Sequence, residues 1–161
     1  HGEQSRTLKL ARRYLDTLED VQVNHQKLYE LDLAPLSCQE TVERKRTDIA
    51  KTFAQADEIV VAAPYWDLSF PSILKVYLEH VCVTGITFHY VGYETQGLCK
   101  AKKAVYISTA GGFVGAHHLG EEYIQTVFQA MFSIPEFHTI RCEGLDLPDA
   151  DPEALVAEAA L

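Results

Sequence analysis

The chain has 161 residues, of which 47% are hydrophobic and 23% charged. This length and composition fit a single domain over residues 1–161 that buries its core without disulfides or metals. The formal net charge of −9 disfavours nucleic acid or an anionic membrane as the main partner. No apolar run approaches the roughly 18 residues of a membrane span, and no signal segment opens the chain. We therefore expect a soluble protein.

The four cysteines lie far apart and include no Cys-x-x-Cys pair. This spacing favours reduced thiols in the cytoplasm over a disulfide framework or a zinc site. Of the seven histidines, only His117 and His118 are close in sequence. Adjacent residues rarely bind one ion together, so we expect no metal site.

Helical and strand patterns alternate along the chain. Helices are predicted where apolar residues recur every three or four positions, and buried strands where short β-branched runs occur. The predicted elements are a helix over 5–18, a short strand within 21–33, a helix over 41–56, a strand over 59–63, a helix over 70–81, an extended, loop-like segment over 85–93, a strand over 104–107, a helix over 119–132, a strand over 137–142 and a helix over 151–161.

This alternation predicts an α/β fold, with a parallel sheet covered by helices on both faces. A domain of this type normally opens with its central strand, whereas this sequence opens with a helix. We therefore expect a first strand that precedes residue 1 and is missing from this sequence.

The first candidate binding segment is the start of the first predicted helix, at Gln4 and Ser5. In an open parallel sheet, ligands bind beyond the carboxyl ends of the strands. A helix N-terminus at this edge suits a phosphate because its amides and dipole attract negative charge. The alternative is that Ser5 is a plain N-cap.

The second candidate follows the buried strand that ends at Pro64. Tyr65, Trp66, Asp67 and Leu68 place two aromatic rings and a carboxylate on this loop. The alternative is a packed corner in which the aromatic side chains complete the core.

The third candidate follows the strand over 104–107 and comprises Thr109, Ala110, Gly111 and Gly112. Glycines allow backbone amides to approach a planar ligand closely. The alternative is an ordinary turn between a strand and a helix.

Together, a phosphate site, an aromatic loop and a glycine loop describe a pocket for a mononucleotide with a flat ring. Flavin mononucleotide (FMN) fits this description. The sequence has neither Gly-x-Gly-x-x-Gly nor a P-loop, so it predicts no dinucleotide or nucleoside triphosphate site of those types.

These segments also carry a family resemblance. The chain resembles the FMN-dependent NAD(P)H:quinone oxidoreductases known as azoreductases, in the flavodoxin-like superfamily. The resemblance covers most of the chain and rests on the segments 64–75, 84–90, 97–98, 102–104, 111–112 and 142–144.

The resemblance implies a five-stranded parallel sheet in the order 2-1-3-4-5, an FMN-bound homodimer, and two-electron reduction of quinones or azo compounds by NADH or NADPH. It implies that the flavin carries the chemistry without a catalytic side chain. Two positions depart from the family: Asp67 stands where Asn is frequent, and Ala110 where Arg is frequent. The implied cofactor-binding residues are Gln4, Ser5, Pro64, Tyr65, Trp66, Asp67, Leu68, Thr109, Ala110, Gly111 and Gly112.

Two other functions are also compatible with the sequence. A flavodoxin-like carrier would hold FMN and catalyse nothing, whereas an NAD(P)H-dependent FMN reductase would release its flavin.

Overall fold

The computed structural model describes residues 4–39 and 47–159. Residues 41–46 and 160–161, which fall in two of the predicted helices, lie outside these ranges. The helices are α1 (Arg6–Leu15), α2 (Thr47–Gln55), α3 (Ser72–Val81), α4 (Leu119–Thr126) and α5 (Pro152–Ala159), and the strands are β1 (Glu58–Pro64), β2 (Phe88–Val91), β3 (Glu94–Gly97), β4 (Lys103–Thr109) and β5 (Glu136–Cys142).

The main sheet of the described residues has three parallel strands in the order β1, β4, β5. Glu58 pairs with Lys103 at one end, and Pro64 pairs with Thr109 at the other. The central strand β4 is buried along almost its whole length, as expected for a parallel strand with helices on both faces. The α/β prediction is confirmed. The predicted order of five strands includes two strands in addition to the three parallel strands described.

Two hydrophobic clusters cover the two faces of this sheet. Tyr106 of β4 belongs to a cluster with α2, α3 and α4. Its neighbours Val105 and Ile107 belong to the opposite cluster, with α1 and α5. Side chains alternate between the two faces of a strand, so consecutive β4 residues supply both cores.

The predicted strand within 21–33 is wrong for the described structure. This segment is irregular apart from a 3-10 turn over Leu28–Glu30. Val21 and Val23 are 52% and 53% exposed. A strand needs a hydrogen-bonded neighbour, and neither described sheet includes this segment; the alternating pattern alone therefore does not make a strand here.

The segment over 85–93, predicted as extended and loop-like, is part of a hairpin. Strand β2 pairs antiparallel with β3, and the connection includes Gly92 at φ 63°. The Thr95 hydroxyl donates to the carbonyl of Ala130 at 2.9 Å, so the hairpin is attached beyond the end of α4.

The predicted helix over 119–132 changes type near its end. Helix α4 ends at Thr126, and a π-helical turn follows over Val127–Met131. Phe128 and Phe132 both pack edge-on or tilted against neighbouring rings.

Among the described helices, none has the length and apolar character needed to cross a membrane.

Candidate functional site

The aromatic loop and the glycine loop leave the sheet side by side. Pro64 and Thr109 are register partners at the carboxyl ends of β1 and β4. One residue further, the Tyr65 amide donates to the Thr109 carbonyl at 2.9 Å. The two loops therefore begin at the same edge of the sheet, where ligands bind in open α/β folds.

The aromatic loop is a tight two-residue turn between Trp66 and Ser69. Their amides and carbonyls bond reciprocally, at 3.0 and 2.8 Å. Asp67 and Leu68 occupy the left-handed region at φ 49° and 65°, as in a type I′ turn. Leucine is disfavoured in this region, so the turn is locally strained.

This turn presents its apolar side chains outward. Trp66 is 48% and Leu68 49% exposed, so Trp66 does not complete the core as the packed-corner alternative requires. The exposed indole and leucine offer an apolar surface at the sheet edge.

The start of α1 lies against the glycine loop. The hydroxyls of Thr7 and Thr109 are 2.5 Å apart and buried. Ser5 is the N-cap residue of α1, and its hydroxyl oxygen accepts from the Leu8 amide at 3.3 Å. Its O–H is then still a donor, and the neighbouring first-turn amides lack partners within the helix. Gln4 is exposed beside them.

The two glycines of the third loop have different surroundings. A Cβ built on Gly111 would overlap the carboxylate of Asp146, whereas one built on Gly112 would meet nothing within 4 Å. The space at Gly112 is therefore open to a ligand. The space beside the Gly111 Cα is occupied by the Asp146 side chain.

The remaining loop residues hold this edge together. The Ala110 amide donates to the Cys142 carbonyl at 2.9 Å, and the Ala110 side chain is buried. The parallel pairing of β4 with β5 thus continues into the loop. Of the predicted cofactor residues, Thr109 and Ala110 are buried in contacts within the protein. Four others are accessible to a ligand: Ser5, Trp66, Leu68 and Gly112.

Three charged side chains that the sequence patterns did not single out, Glu121, Arg141 and Glu143, lie near Tyr65 on the sheet face covered by α4. Arg141 donates to both carboxylate oxygens of Glu121, at 2.7 and 2.6 Å. Glu143 accepts from the Val114 amide at 3.0 Å, and the Tyr65 hydroxyl donates to the His117 carbonyl at 3.0 Å. Only the position of Glu143 directly after a predicted strand could have indicated it.

These side chains border a small pocket that includes Tyr65 and Ala110. Its volume is about 20 Å³, which is room for roughly one water molecule. Burial raises the pKa of Tyr106 in its wall, so this phenol stays neutral at physiological pH. The hydrogen bonds of Glu143 and Tyr65 hold the 113–118 loop. The pocket itself is too small for a planar cofactor.

Neither buried cysteine has the character of a nucleophile. Burial raises the pKa of Cys99 to about 12, and it also raises the pKa of Cys142. Both remain thiols at neutral pH, and the thiolate is the reactive form. Across residues 4–39 and 47–159, no group of three or more His, Cys, Asp or Glu side chains is placed to hold a metal ion.

The model of the Flavodoxin_2 family, described as a flavodoxin-like fold, matches residues 1–161. The chain belongs to the Flavodoxin_2 family.

Relatives of this Flavodoxin_2 chain include named oxidoreductases. It is 31% identical to an FMN-dependent NADH:quinone oxidoreductase of Coprothermobacter proteolyticus, over 99% of this chain and 89% of that protein. It is 44% identical to FMN-dependent NADH:quinone oxidoreductase 2 of Clostridium acetobutylicum, over 66% of this chain and 56% of that protein. The match thus spans little more than half of the clostridial relative. The predicted resemblance to this oxidoreductase family is confirmed.

Solved structures agree on the fold. An azoreductase from Bacillus anthracis str. Sterne superposes with a TM-score of 0.80 at 19% identity, over 99% of this Flavodoxin_2 chain and 89% of that chain. An FMN-dependent NADH-azoreductase from Bacillus anthracis str. Ames Ancestor, in complex with FMN, gives 0.79 at 19% identity, over 97% and 87%. At this identity the likeness establishes the flavodoxin-like fold alone.

Proposed function

We propose that this chain binds FMN and acts as an FMN-dependent NAD(P)H oxidoreductase on quinones or azo compounds. The main support is that the start of α1, the aromatic loop and the glycine loop lie together at one edge of the sheet. Thr109 joins them, because its hydroxyl bonds to Thr7 of α1 and its carbonyl to the Tyr65 amide. The names of the relatives, FMN-dependent NADH:quinone oxidoreductases, support this assignment.

The start of α1 fits the phosphate of FMN. Ser5 retains a hydroxyl donor after capping the helix, and the first-turn amides carry the positive end of the helix dipole. Gln4 precedes them and is exposed. These groups are the types that bind a phosphate at a helix N-terminus.

The two loops fit the ring. Trp66 and Leu68 supply exposed apolar surface, and the backbone at Gly112 is accessible because no protein atom fills the space of a Cβ. Asp67 stands between the two apolar side chains, and its carboxylate can accept the ring N3 hydrogen. The chain thus provides both a stacking surface and polar groups for the ring edge.

FMN, when bound, supplies two-electron hydride chemistry between a nicotinamide and an acceptor. The chain would bind and orient the ring, and the Gly112 amide would be available to stabilise negative charge on it. Donor and acceptor would use the same exposed surface in turn, so we infer ping-pong kinetics. No side chain is required as an acid or base.

We further propose a homodimer in the cytoplasm, with residues 1–161 as one domain. The hairpin exposes Tyr90, Val91 and Tyr93, which are 60%, 58% and 105% exposed, and a dimer would cover such a surface. The four cysteines form no disulfide, which agrees with a reducing compartment. Sedimentation of the full-length protein at micromolar concentration should give the mass of two chains; a monomer with FMN bound would contradict the dimer.

The function is tested with the full-length protein. As purified, it should show the visible absorption of FMN and keep this colour through gel filtration. Stopped-flow mixing with NADH or NADPH should bleach the flavin, and a quinone should restore the colour. Retained flavin without bleaching would instead indicate a carrier. Bleaching with loss of flavin from the protein would indicate an FMN reductase.

A further inference from the structure

Two charged residues that are distant in sequence connect the two ends of the proposed site. Arg6, the first residue of α1, donates to the Asp146 carboxylate at 2.5 Å. Asp146 lies in the loop after β5, 140 positions away. The ion pair therefore links the helix start, where the phosphate is expected, to the loop that lies beside the glycines.

The loop containing Asp146 is hydrogen-bonded along the glycine loop. The Asp146 amide donates to the Gly111 carbonyl at 2.8 Å, and the Gly144 amide donates to the Gly112 carbonyl at 3.1 Å. The Leu145 amide donates to the carbonyl of the residue before Gly111 at 3.2 Å. The backbone around Asp146 is therefore directly coupled to the backbone of the glycine loop.

The Asp146 carboxylate occupies the space beside the Gly111 Cα. A methyl group at position 111 would overlap the carboxylate oxygen Oδ2, so the side chain would have to shift, and the shift would disturb the bond between Oδ1 and Arg6. Gly112, one residue on, has no such neighbour. Glycine at 111 thus leaves the carboxylate free to take the position in which it pairs with Arg6.

We propose that Arg6, Asp146 and Gly111 form a positioning clamp. This inference rests on the proposed function. Because the phosphate and the ring of FMN are covalently joined, the helix start and Gly112 must lie at a matching separation for both to bind. The clamp sets that separation together with the buried Thr7–Thr109 bond, and its members position the binding loops without touching the reacting atoms.

The clamp predicts one effect for three substitutions in the full-length protein. Arg6→Gln, Asp146→Asn and Gly111→Ala should each raise the dissociation constant of FMN about three- to fivefold, a modest effect because exposed ion pairs are weak. Combining any two should add little, since each removes the same interaction. The visible circular dichroism of FMN at saturation should also change, which a loss of global stability alone would not cause.

A second ion pair on the same helix provides the control. Lys9 donates to Glu153 at 2.5 Å. These side chains are 38% and 71% exposed, against 40% and 67% for Arg6 and Asp146. The Lys9 pair reaches α5 and not the glycine loop. Lys9→Gln and Glu153→Gln should leave both the FMN dissociation constant and the circular dichroism unchanged.

Charge exchange separates a clamp from a direct phosphate ligand. The double variant Arg6→Asp, Asp146→Arg should recover FMN affinity relative to Arg6→Asp alone. If Arg6 instead bound the phosphate, the exchange would not recover it, and Asp146→Asn would leave affinity unchanged or improve it. Either of these last results overturns the clamp.

Hydrogen exchange tests the clamp without FMN. The Asp146 amide should exchange several-fold faster in Arg6→Gln than in Lys9→Gln, because its bond to Gly111 depends on the ion pair. Equal rates overturn the clamp. Suppose that the exchange rates of the two variants differ as expected but the wild-type protein binds no FMN. This result would overturn the proposed function, and with it the role of the clamp in FMN binding.

Discussion

Thr7 and Thr109 form a buried hydrogen bond between their hydroxyls, with the oxygens 2.5 Å apart. The two residues are 102 positions apart and only 6% and 7% exposed. The bond joins the first turn of α1 to the last residue of β4, so the helix start is fixed relative to the sheet edge.

Thr7→Val should destabilise the fold by about 1 to 3 kcal/mol, because it leaves the Thr109 hydroxyl buried without its partner. Thr7→Val with Thr109→Val should cost clearly less than the sum of the two single changes. Urea unfolding measures these differences. Thr52→Val, at an exposed helical threonine, is the control and should stay within about 0.5 kcal/mol of wild type. Additive losses at Thr7 and Thr109 would contradict the coupling.

Ser5 distinguishes a phosphate ligand from a plain N-cap. Ser5→Ala should weaken FMN binding by about 1 to 2 kcal/mol, the value of a charge-assisted hydrogen bond. Ser5→Asp keeps a good N-cap but places a carboxylate against the phosphate. It should therefore be more stable than Ser5→Ala and bind FMN more weakly. Fluorescence titration and urea unfolding test this order; FMN affinity that simply follows stability would leave Ser5 as a cap alone.

Substitutions at Trp66 and Gly112 test whether the aromatic loop and the glycine loop together hold the flavin ring. Trp66→Ala should weaken FMN binding by roughly 0.5 to 1.5 kcal/mol through lost stacking. Gly112→Val should weaken it more, because the side chain would fill the open space beside the loop. Flavin content and NADH:quinone activity are the measurements, with far-UV circular dichroism as the folding control.

Tyr29→Ala removes another exposed aromatic ring, 75% exposed and in the 3-10 turn, and should leave flavin content unchanged. Folded Trp66 and Gly112 variants with wild-type flavin content would place the flavin ring elsewhere.

Leu68 stores strain in the aromatic loop. Because its φ is 65°, Leu68→Gly should raise the free energy of unfolding by about 0.5 to 1 kcal/mol. Leu98→Gly, at a similarly exposed leucine of 41% without a positive φ, should lower it. Urea unfolding of both variants gives the comparison. A loss of stability in Leu68→Gly as large as in Leu98→Gly would argue against strain.

Cys99 predicts a loss of stability at alkaline pH. Burial raises its pKa from 9.0 to about 12, so between these values the unfolded chain releases a proton that the folded chain retains. Stability from this group is complete below pH 9 and declines as the pH rises toward 12. Cys99→Ala should have a lower free energy of unfolding at pH 7, because it removes a buried side-chain atom. Without the thiol, this free energy should decline less steeply from pH 8 to 10. Parallel slopes in urea unfolding would contradict this assignment.

Local patterns were sufficient for the three parallel strands and most helices, but not for the β2–β3 hairpin. The apolar runs at 59–63 and 104–107 became β1 and β4 because a parallel strand between two helical layers must be apolar on both faces. The same logic placed the aromatic and glycine loops at one edge. The segment 21–33 had a strand pattern as well, but a strand also needs a pairing partner, which is not a local property.

Tertiary structure decided what each loop residue does. The sequence placed two glycines after β4 and predicted that both admit a ring, yet Gly111 makes room for Asp146 and only Gly112 remains open. The bonds from Arg6 to Asp146 and from Thr7 to Thr109 span 140 and 102 positions. No periodicity or motif encodes such pairs, because they depend on how the helix and the loops meet after the sheet has formed.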